Sequence, residues 1–282
     1  MKLEIIAYIV LIVEFAYLFV IAPNAKSKER TTKLMGKHYA HRGFHDNTSD
    51  APENSKKAFY KAVQNGYGIE LDVQITKDRQ VVVFHDYSLK RVCSVDKQVS
   101  DCTYEELKEL TLLNTQERIP LFSEVLELVN GQVPLIVEIK QKNGKDPICE
   151  YTWEILKDYK GIYCMESFHP FAVLWFKKNH PEVTRGQLSM DFYKYSKEEA
   201  KPIYILLRHL FFNFLTKPDF IAYDHRSKKA VSKNLCRNLF GCTNVAWTIT
   251  SQEEMDNSKE YYDLYIFEGF RPNVKPKKQQ GR

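Results

Sequence analysis

The chain has 282 residues, of which 44% are hydrophobic, 13% aromatic and 27% charged. This length allows one large domain or two small ones, and the composition excludes a disulfide-stapled mini-protein and bulk disorder. The net charge of +5 comes from the two ends, because residues 38–270 hold 33 acidic and 30 basic side chains. A nucleic-acid-binding protein is therefore not expected, since the basic charge is not gathered on the face of a domain.

The six cysteines are scattered, with no C-x-x-C pair and no zinc-like spacing. This pattern favours reduced thiols and suits a cytosolic location of the body, although it leaves a disulfide between two of them open.

An apolar run covers residues 5–22, is interrupted only by Glu14 and is followed by Pro23. Its length is about the minimum for a helix that crosses a bilayer. We favour an uncleaved anchor over a secretory signal, because the run is long for a signal and Pro23 directly follows the only candidate cleavage site. Glu14 leaves a third alternative open, a helix that packs on a partner helix or lies in the membrane interface. Lys and Arg are concentrated after the run, which predicts a single-pass anchor with a cytoplasmic body.

The body alternates short β-branched runs with longer amphipathic stretches, which is typical of β/α repeats. Eight such runs predict an eight-stranded β/α (TIM) barrel, and an additional run at 81–84 predicts the return limb of a hairpin. The eight strand candidates are 38–41, 68–74, 135–139, 162–167, 184–189, 220–223, 244–249 and 264–268. We expect an anchor at 1–24, a basic linker at 25–37, the barrel at 38–270 and a disordered basic tail at 271–282.

Helices are predicted between these strands. The candidates are 54–65, 103–110, 121–130, 147–159, 170–179, 227–239 and 251–259. Capping boxes are predicted at Thr103 to Glu106 and at Thr250 to Glu253. The apolar segment 203–215 has two interpretations, a buried barrel helix or a lipid-facing lip beside the site.

Polar residues stand at the carboxyl-terminal ends of the predicted strands, where β/α barrels carry their catalytic groups. Strand alternation aims Glu70 and Asp72 at one face, and Glu138 and Lys140 follow the same pattern on the next predicted barrel strand. Carboxylates inside a barrel are costly unless they meet positive charge, so Glu70, Asp72 and Glu138 are expected to hold one divalent cation, Mg²⁺ or Ca²⁺. The alternative is a set of structural ion pairs with Arg42 and Lys140.

Two histidines, His41 and His85, also end predicted strands beside this cluster. Each alone would more often be structural, whereas together with a metal cluster they suggest a general acid and a general base. Arg42 and Lys140 supply fixed positive charge suited to phosphate oxygens. This set favours phosphoryl-group displacement over acyl transfer, and no G-x-S-x-G elbow or P-loop argues otherwise.

Successive motifs of the chain resemble those of the glycerophosphodiester phosphodiesterase family, in order over about residues 38–250. The motifs are His41-Arg42-Gly43, Pro52-Glu53-Asn54-Ser55, Glu70-Leu71-Asp72-Val73, Val83-Phe84-His85-Asp86, Glu138-Ile139-Lys140, Ser167-Phe168 and Ala246-Trp247-Thr248. One departure is the last strand, which lacks the Thr-Asp pair common near its end.

The resemblance implies a barrel hydrolase that uses a divalent cation to cleave glycerophosphodiesters to glycerol 3-phosphate and an alcohol. By matching position, Glu70, Asp72 and Glu138 would bind the metal, and His41 and His85 would exchange protons. Substrate would contact Arg42, Lys140, Glu53, Trp247 and Phe168, with Ser167 also at the rim. Trp247 has a plain core residue as its alternative.

Two other functions stay open. The same site could act as a lysophospholipase D, with the acyl chain held by segment 203–215. The body could also be a non-catalytic phosphodiester-binding module at the membrane. The proton-transfer pair argues against the second, because a binding module has no use for it.

Overall fold

The computed structural model describes residues 2–142, 147–195 and 201–273. Eight parallel strands close into a barrel, since the first strand pairs with both the second and the last. The predicted TIM barrel is thereby confirmed. The strands are β1 (Tyr39–Ala40), β2 (Gly68–Ile75), β3 (Val81–Val83), β4 (Leu135–Ile139), β5 (Tyr163–Ser167), β6 (Arg185–Ser189), β7 (Phe220–Asp224), β8 (Thr243–Ile249) and β9 (Leu264–Phe267). The short β3 pairs antiparallel with β2 outside the barrel, as the hairpin prediction requires.

Helices surround the barrel in the alternating order that the sequence predicts. They are α1 (Lys2–Ile21), α2 (Ser27–Thr31), α3 (Lys56–Gln64), α4 (Lys90–Cys93), α5 (Tyr104–Leu107), α6 (Phe122–Val129), α7 (Ile148–Leu156), α8 (Pro170–Asn179), α9 (Phe192–Tyr195), α10 (Ile203–Arg208), α11 (Asn213–Thr216), α12 (Val231–Phe240) and α13 (Gln252–Ser258). In the part of the chain that the structure describes, three short 3₁₀ helices cover Thr32–Leu34, Val99–Asp101 and His225–Ser227.

Two helix starts test the capping predictions. Thr103 caps α5 in the predicted box with Glu106. The second predicted box is wrong by one residue, because Ser251 rather than Thr250 caps α13 and its partner is Glu254 rather than Glu253. Ser251 has the extended backbone that an N-cap needs, so it takes the role although the neighbouring threonine carries an equivalent hydroxyl.

Two layers of apolar side chains hold the barrel together. The outer layer lies between strands and helices and includes Leu71, Val137 and Phe176. The inner layer fills the barrel and includes Tyr39, Ile136 and Phe220. Because alternate residues of each strand face opposite sides, the polar residues that end the inward-facing rows meet at one mouth. All six cysteines are free thiols.

Residues 25–37 are folded against the barrel, although their charge predicts a linker. Ser27 and Thr31 are buried, and Leu34 joins the inner apolar layer at the amino-terminal end of the strands. The fully buried Asp219 accepts hydrogen bonds from Asn24 Nδ2 at 2.7 Å and Arg185 N at 3.0 Å, and pairs with Arg30 Nε at 2.8 Å. This segment therefore closes the bottom of the barrel, opposite the mouth.

Among the described residues, one helix is long and apolar enough to cross a membrane by length and composition. It spans Glu4–Ile21 with a mean hydropathy of 2.3, and only 6% of it is buried. The predicted basic tail lies outside the described residues from position 274 onward.

The ambiguous segment 203–215 forms two short helices, α10 and α11, instead of one. Ile203, Ile205 and Leu206 of α10 are exposed, whereas Tyr204 and Asn213 are buried. The segment thus has an apolar exposed face as well as a packed one.

Candidate active site

Carboxylates from neighbouring strands stand in register at the mouth of the barrel. Asp72 of β2 pairs with Glu138 of β4, and Glu138 pairs with Glu166 of β5. Paired residues of parallel strands point to the same face, so all three side chains enter the barrel. Oxygens of Glu70, Asp72 and Glu138 lie within 4.8 Å of one another, and all three residues are buried. The structure thus brings the three predicted metal ligands together.

Two cations balance part of this negative charge. Lys140 Nζ lies 2.6 Å from Glu138 Oε1 and 3.0 Å from Asp72 Oδ1. Arg42 Nε lies 3.5 Å from Asp72 Oδ2, and the Arg42 backbone N–H donates to Glu70 Oε2 at 3.0 Å. Four buried carboxylates, counting Glu166, therefore face two side-chain cations, which leaves an excess of negative charge.

The pKa values of the carboxyls reflect this excess. Burial raises the pKa of Glu138 to about 7. Burial and the neighbouring Asp72 raise the pKa of Glu70 well above its usual range, and burial and Glu138 do the same for Glu166. Oxygen donors of this kind suit a hard divalent cation, which would replace the protons that these groups otherwise retain. The residues present therefore fit the metal that the sequence predicts.

His41 is held at the edge of this cluster by a carboxylate from the other end of the chain. Its Nδ1 lies 2.6 Å from Glu268 Oε2, directly after β9, and its Nε2 lies 3.9 Å from Glu70 Oε2. Although burial acts to raise the pKa of Glu268, the hydrogen bond with His41 lowers it to about 2. Burial and the adjacent Arg42 lower the pKa of His41. The ring is thus oriented through Nδ1 and presents Nε2 to the site.

His85 is held in the same way by its sequence neighbour. His85 Nδ1 lies 2.6 Å from Asp86 Oδ1. Burial and Lys140 lower the pKa of His85 to about 4, so the imidazole is neutral at pH 7. Both imidazoles help to hold the pKa of Asp72 well below its usual range, after the larger effect of Lys140. A neutral imidazole oriented by a carboxylate is suited to proton transfer.

The turn after β1 depends on left-handed backbone at two positions. Arg42 has φ 52° and Gly43 has φ 83°. A side chain at Gly43 would meet Ala58 of α3 at 2.9 Å. Glycine is therefore required for α3 to pack against the turn that carries His41 and Arg42.

The remaining predicted substrate residues occupy the rim. Buried Glu53 accepts from Arg42 Nη1 at 2.7 Å. Phe168 and Trp247 meet edge to face with ring centroids 5.4 Å apart, and form an aromatic pair over the inner layer of the barrel. The Trp247 indole Nε1 has no hydrogen-bond partner among the described residues. Ser167 instead donates to the Ile139 backbone carbonyl at 2.7 Å, which gives it a structural contact.

Several residues of this site escape sequence reasoning. Glu268 orients His41, Asp86 orients His85, Asn54 Nδ2 donates to Asp72 Oδ2 at 2.9 Å, and Glu166 adds a fourth carboxylate. Arg91 of α4 binds Glu53 and Asp86 together. The sequence contains one indication for each of two of these residues. Glu268 lies at the end of a predicted strand, and Glu166 lies two residues after Cys164, so these two side chains of β5 point to the same face.

A closed barrel whose carboxyl-terminal mouth joins buried carboxylates, two oriented imidazoles, an arginine and a lysine defines a class of barrel enzymes that act on phosphate esters. The comparison with known families is more specific. The family model of the glycerophosphoryl diester phosphodiesterase family matches residues 41–261, and the chain belongs to this family.

Curated relatives agree with this assignment. The chain is 37% identical to a glycerophosphodiester phosphodiesterase of Bacillus altitudinis over 169 residues, which cover 56% of this chain and 68% of the relative. It is 33% identical to the lysophospholipase D GDPD1 of Rattus norvegicus over 158 residues, which cover 51% of this chain and 48% of that protein.

Solved structures share the fold. A glycerophosphodiester phosphodiesterase of Thermotoga maritima aligns with a TM-score of 0.63 and 26% identity, over 82% of this chain and 94% of that one. A phosphodiesterase of Oleispira antarctica, solved with its product sn-glycerol-3-phosphate, aligns with a TM-score of 0.67 and 23% identity, over 83% and 94%.

Proposed function

We propose that this protein hydrolyses glycerophosphodiesters to glycerol 3-phosphate and an alcohol with the help of one divalent cation, Mg²⁺ or Ca²⁺. The observation that carries the proposal is the cluster of Glu70, Asp72 and Glu138, flanked by His41 and His85 with a carboxylate behind each ring. Family membership supports the same reaction.

Glu70, Asp72 and Glu138 would hold the cation. When bound, it would polarise the phosphoryl oxygens and stabilise the negative charge that develops on them. Arg42 and Lys140 would bind the same oxygens, because both lie against the carboxylate cluster and are always charged near neutral pH.

The neighbouring glycerol hydroxyl is the most favourable nucleophile, since an intramolecular attack has already lost its translational entropy. One imidazole would take the hydroxyl proton while the other protonates the leaving alcohol, which gives a cyclic phosphate. Water would then open the ring with the two roles reversed. Glu268 and Asp86 would keep each Nε2 directed at the reacting atoms, and Phe168 and Trp247 would wall the glycerol moiety.

A second candidate substrate is a lysophospholipid. The exposed apolar face of α10 favours it, because Ile203, Ile205 and Leu206 are 41%, 51% and 38% exposed. Relatives named lysophospholipase D support the same alternative. The two candidate substrates would share the site. They differ in the glycerol, which carries an acyl chain in a lysophospholipid and none in a glycerophosphodiester.

The test uses the full chain purified in non-ionic detergent, treated with a chelator and then with single metals. A panel of glycerophosphodiesters and lysophospholipids is assayed for release of glycerol 3-phosphate or its acyl derivative. We expect metal-dependent turnover, and at least a 10³-fold loss in His41→Ala and His85→Ala. His180→Ala is the matched control, because His180 stacks on Trp153 at the outer helices.

Preference for glycerophosphocholine over lysophosphatidylcholine would reject the lysophospholipid substrate. Turnover that survives complete metal removal would reject the metal-dependent mechanism. A folded protein without hydrolysis of any substrate, but with bound phosphodiester, would identify the non-catalytic module instead.

A further inference from the structure

A basic cleft lies beside the mouth of the barrel, outside the candidate active site. It has a volume of about 400 Å³ and lies between the loops that follow β6 and β7. Its lining includes five basic side chains and one carboxylate, Asp191. The basic residues are Lys194, Arg208, Arg226, Lys228 and Lys229.

Internal ion pairs satisfy only two of these five cations. Arg208 Nη2 lies 3.2 Å from Asp191 Oδ2, and Arg226 pairs with Asp224 while its guanidinium stacks on Tyr195 at 4.0 Å. Lys194, Lys228 and Lys229 form no ion pair with any carboxylate in the part of the chain that the structure describes. The cleft therefore has a surplus of positive charge suited to an anionic group.

The apolar helix α1 is docked directly beside this cleft. Tyr17 OH donates to the cleft residue Ser232 at 3.0 Å. One turn later, the Ile21 carbonyl accepts from Asn213 Nδ2 at 2.8 Å and from Cys236 Sγ at 3.2 Å. Ile21 is fully buried, so the carboxyl-terminal end of α1 is part of the packed structure.

These contacts fix the direction of α1. Because α12 follows β7, its first turn, which holds Ser232, lies at the carboxyl-terminal face of the barrel, and Cys236 lies one turn deeper. Tyr17 meets the first of these residues and Ile21 the second, so α1 runs parallel to α12. Residues 4–16 are exposed and project past the face that holds the mouth, over roughly 20 Å at 1.5 Å per residue.

Other apolar side chains are exposed near the same cleft. Ile203, Ile205 and Leu206 of α10 precede the cleft residue Arg208, and Val231 lines the cleft itself and is 65% exposed. An apolar helix, an apolar rim and a basic cleft thus lie together on one side of the molecule. A bilayer has the matching order, an apolar interior bordered by a layer of phosphate.

We propose that the cleft binds the phosphate headgroup of an anionic membrane lipid, and that it docks the mouth of the barrel against the bilayer that α1 enters. Lys194, Lys228 and Lys229 would contact the headgroup, while Ile205 and Leu206 contact the acyl region. This binding does not depend on the proposed reaction, since no residue of the cleft belongs to the candidate active site.

The binding test uses the full chain in non-ionic detergent and three probes, which are dioctanoyl phosphatidylglycerol, dioctanoyl phosphatidylcholine and inorganic phosphate. Binding is measured by calorimetry on the wild type and on the triple variant Lys194→Gln, Lys228→Gln, Lys229→Gln. The matched control removes three exposed lysines on other faces, Lys33→Gln, Lys160→Gln and Lys178→Gln.

We expect phosphatidylglycerol to bind at least tenfold more tightly than phosphatidylcholine, and the cleft variant to lose at least tenfold while the control changes less than twofold. Equal binding of both lipids would overturn the proposal, as would an equal loss in the control variant. Inorganic phosphate that competes as well as phosphatidylglycerol would overturn the lipid source.

The docking geometry has its own test in proteoliposomes. A fluorophore is attached at Leu206→Cys or at Lys33→Cys, which lie at opposite ends of the barrel. Both variants also carry Cys93→Ser, because Cys93 is the one native cysteine that is not buried. We expect brominated lipids to quench the label at position 206 severalfold more than the label at position 33. Equal quenching, or stronger quenching at position 33, would overturn the orientation.

Discussion

The contact between Glu268 and His41 makes a prediction that separates the orientation of an imidazole from its mere presence. Glu268 lies one residue after β9, and its side chain is 34% exposed. His41 Nδ1 lies 2.6 Å away, and this hydrogen bond leaves Nε2 directed toward Glu70. Glu268→Gln keeps an acceptor but removes the charge, whereas Glu268→Ala removes both.

The size of the effect follows from the strength of this bond. A hydrogen bond to a charged group contributes about 1.5–3 kcal/mol, and the imidazolium that forms during turnover would benefit most from it. At 1.36 kcal/mol per tenfold, this corresponds to a loss in kcat of about 10- to 150-fold. We expect Glu268→Gln near the lower limit and Glu268→Ala near the upper one, with KM little changed.

The pH profile provides a second measurement. The hydrogen bond with Glu268 raises the pKa of His41 against the opposing effects of burial and Arg42. Removing the carboxylate should therefore move the limb that His41 controls to lower pH, whichever proton it transfers. Glu253→Gln is the matched control, because Glu253 of α13 is exposed. A kcat within twofold of wild type together with an unshifted limb would refute the assignment of Glu268 as a positioning residue.

Three further predictions concern the cation, a buried lysine and the bottom of the barrel. A chelator should abolish turnover and lower the melting temperature of the wild type. Glu138→Gln should melt at the same temperature with and without added metal. A wild-type melting temperature that does not depend on metal would contradict this prediction. Burial and Arg237 lower the pKa of Lys233 to about 7 in the folded protein. Between about pH 7 and 10 the unfolded chain therefore holds more protons than the folded protein. The free energy of unfolding should rise with pH in this range, by up to about 1.4 kcal/mol per pH unit. Denaturation at several pH values should show that slope in the wild type and a shallower one in Lys233→Met, and parallel slopes would contradict it. Asp219→Ala removes the fully buried carboxylate that pairs with Arg30 and Arg185. We expect the free energy of unfolding, measured with a chemical denaturant, to fall by about 3–5 kcal/mol. A fall below about 1 kcal/mol would show that the contact of segment 25–37 with the barrel does not stabilise the fold.

The barrel and its carboxylate cluster could be predicted because both follow from strand periodicity. Alternation places Glu70 and Asp72 on one face of β2, and register then places Glu138 beside Asp72. These are local or nearest-neighbour relations, which a sequence expresses directly. The positions of His41 and His85 near the mouth follow for the same reason, because each comes shortly after a strand.

Local sequence pattern does not predict the contact of Glu268 with His41, because this contact depends on closure of the barrel. Glu268 becomes a neighbour of His41 only when β9 pairs with β1, which joins residues 227 positions apart. A closed eight-stranded barrel implies this pairing, and therefore places the end of the last strand beside His41. The strand that departs from the family pattern is thus directly followed by the residue that contacts His41.

The segment 25–37 lies against the barrel for a reason that its charge does not indicate. Its basic charge indicates solvation, yet Ser27, Thr31 and Leu34 recur at the i, i+4, i+7 spacing of a helix face. Because Ser and Thr are only weakly hydrophobic, this periodicity is a weak indication of a buried helix face. Burial here is supported by hydrogen bonds, with Thr31 Oγ1 2.6 Å from Thr243 Oγ1, and not by a large apolar area.

Arg91 connects two halves of the site that the chain keeps apart. It donates to Glu53 at 2.7 and 2.8 Å and to Asp86 at 2.6 and 3.0 Å. Glu53 in turn binds Arg42, and Asp86 binds His85, so one guanidinium couples a proposed phosphate-binding group to a proposed proton-transfer group. Val92 of α4 packs in a separate apolar cluster formed by β3 and the connection between β3 and β4. This cluster fixes α4 and so holds Arg91 in place at the mouth of the barrel. The connection between β3 and β4 thus combines an apolar core of its own with a direct contact to the residues of the site.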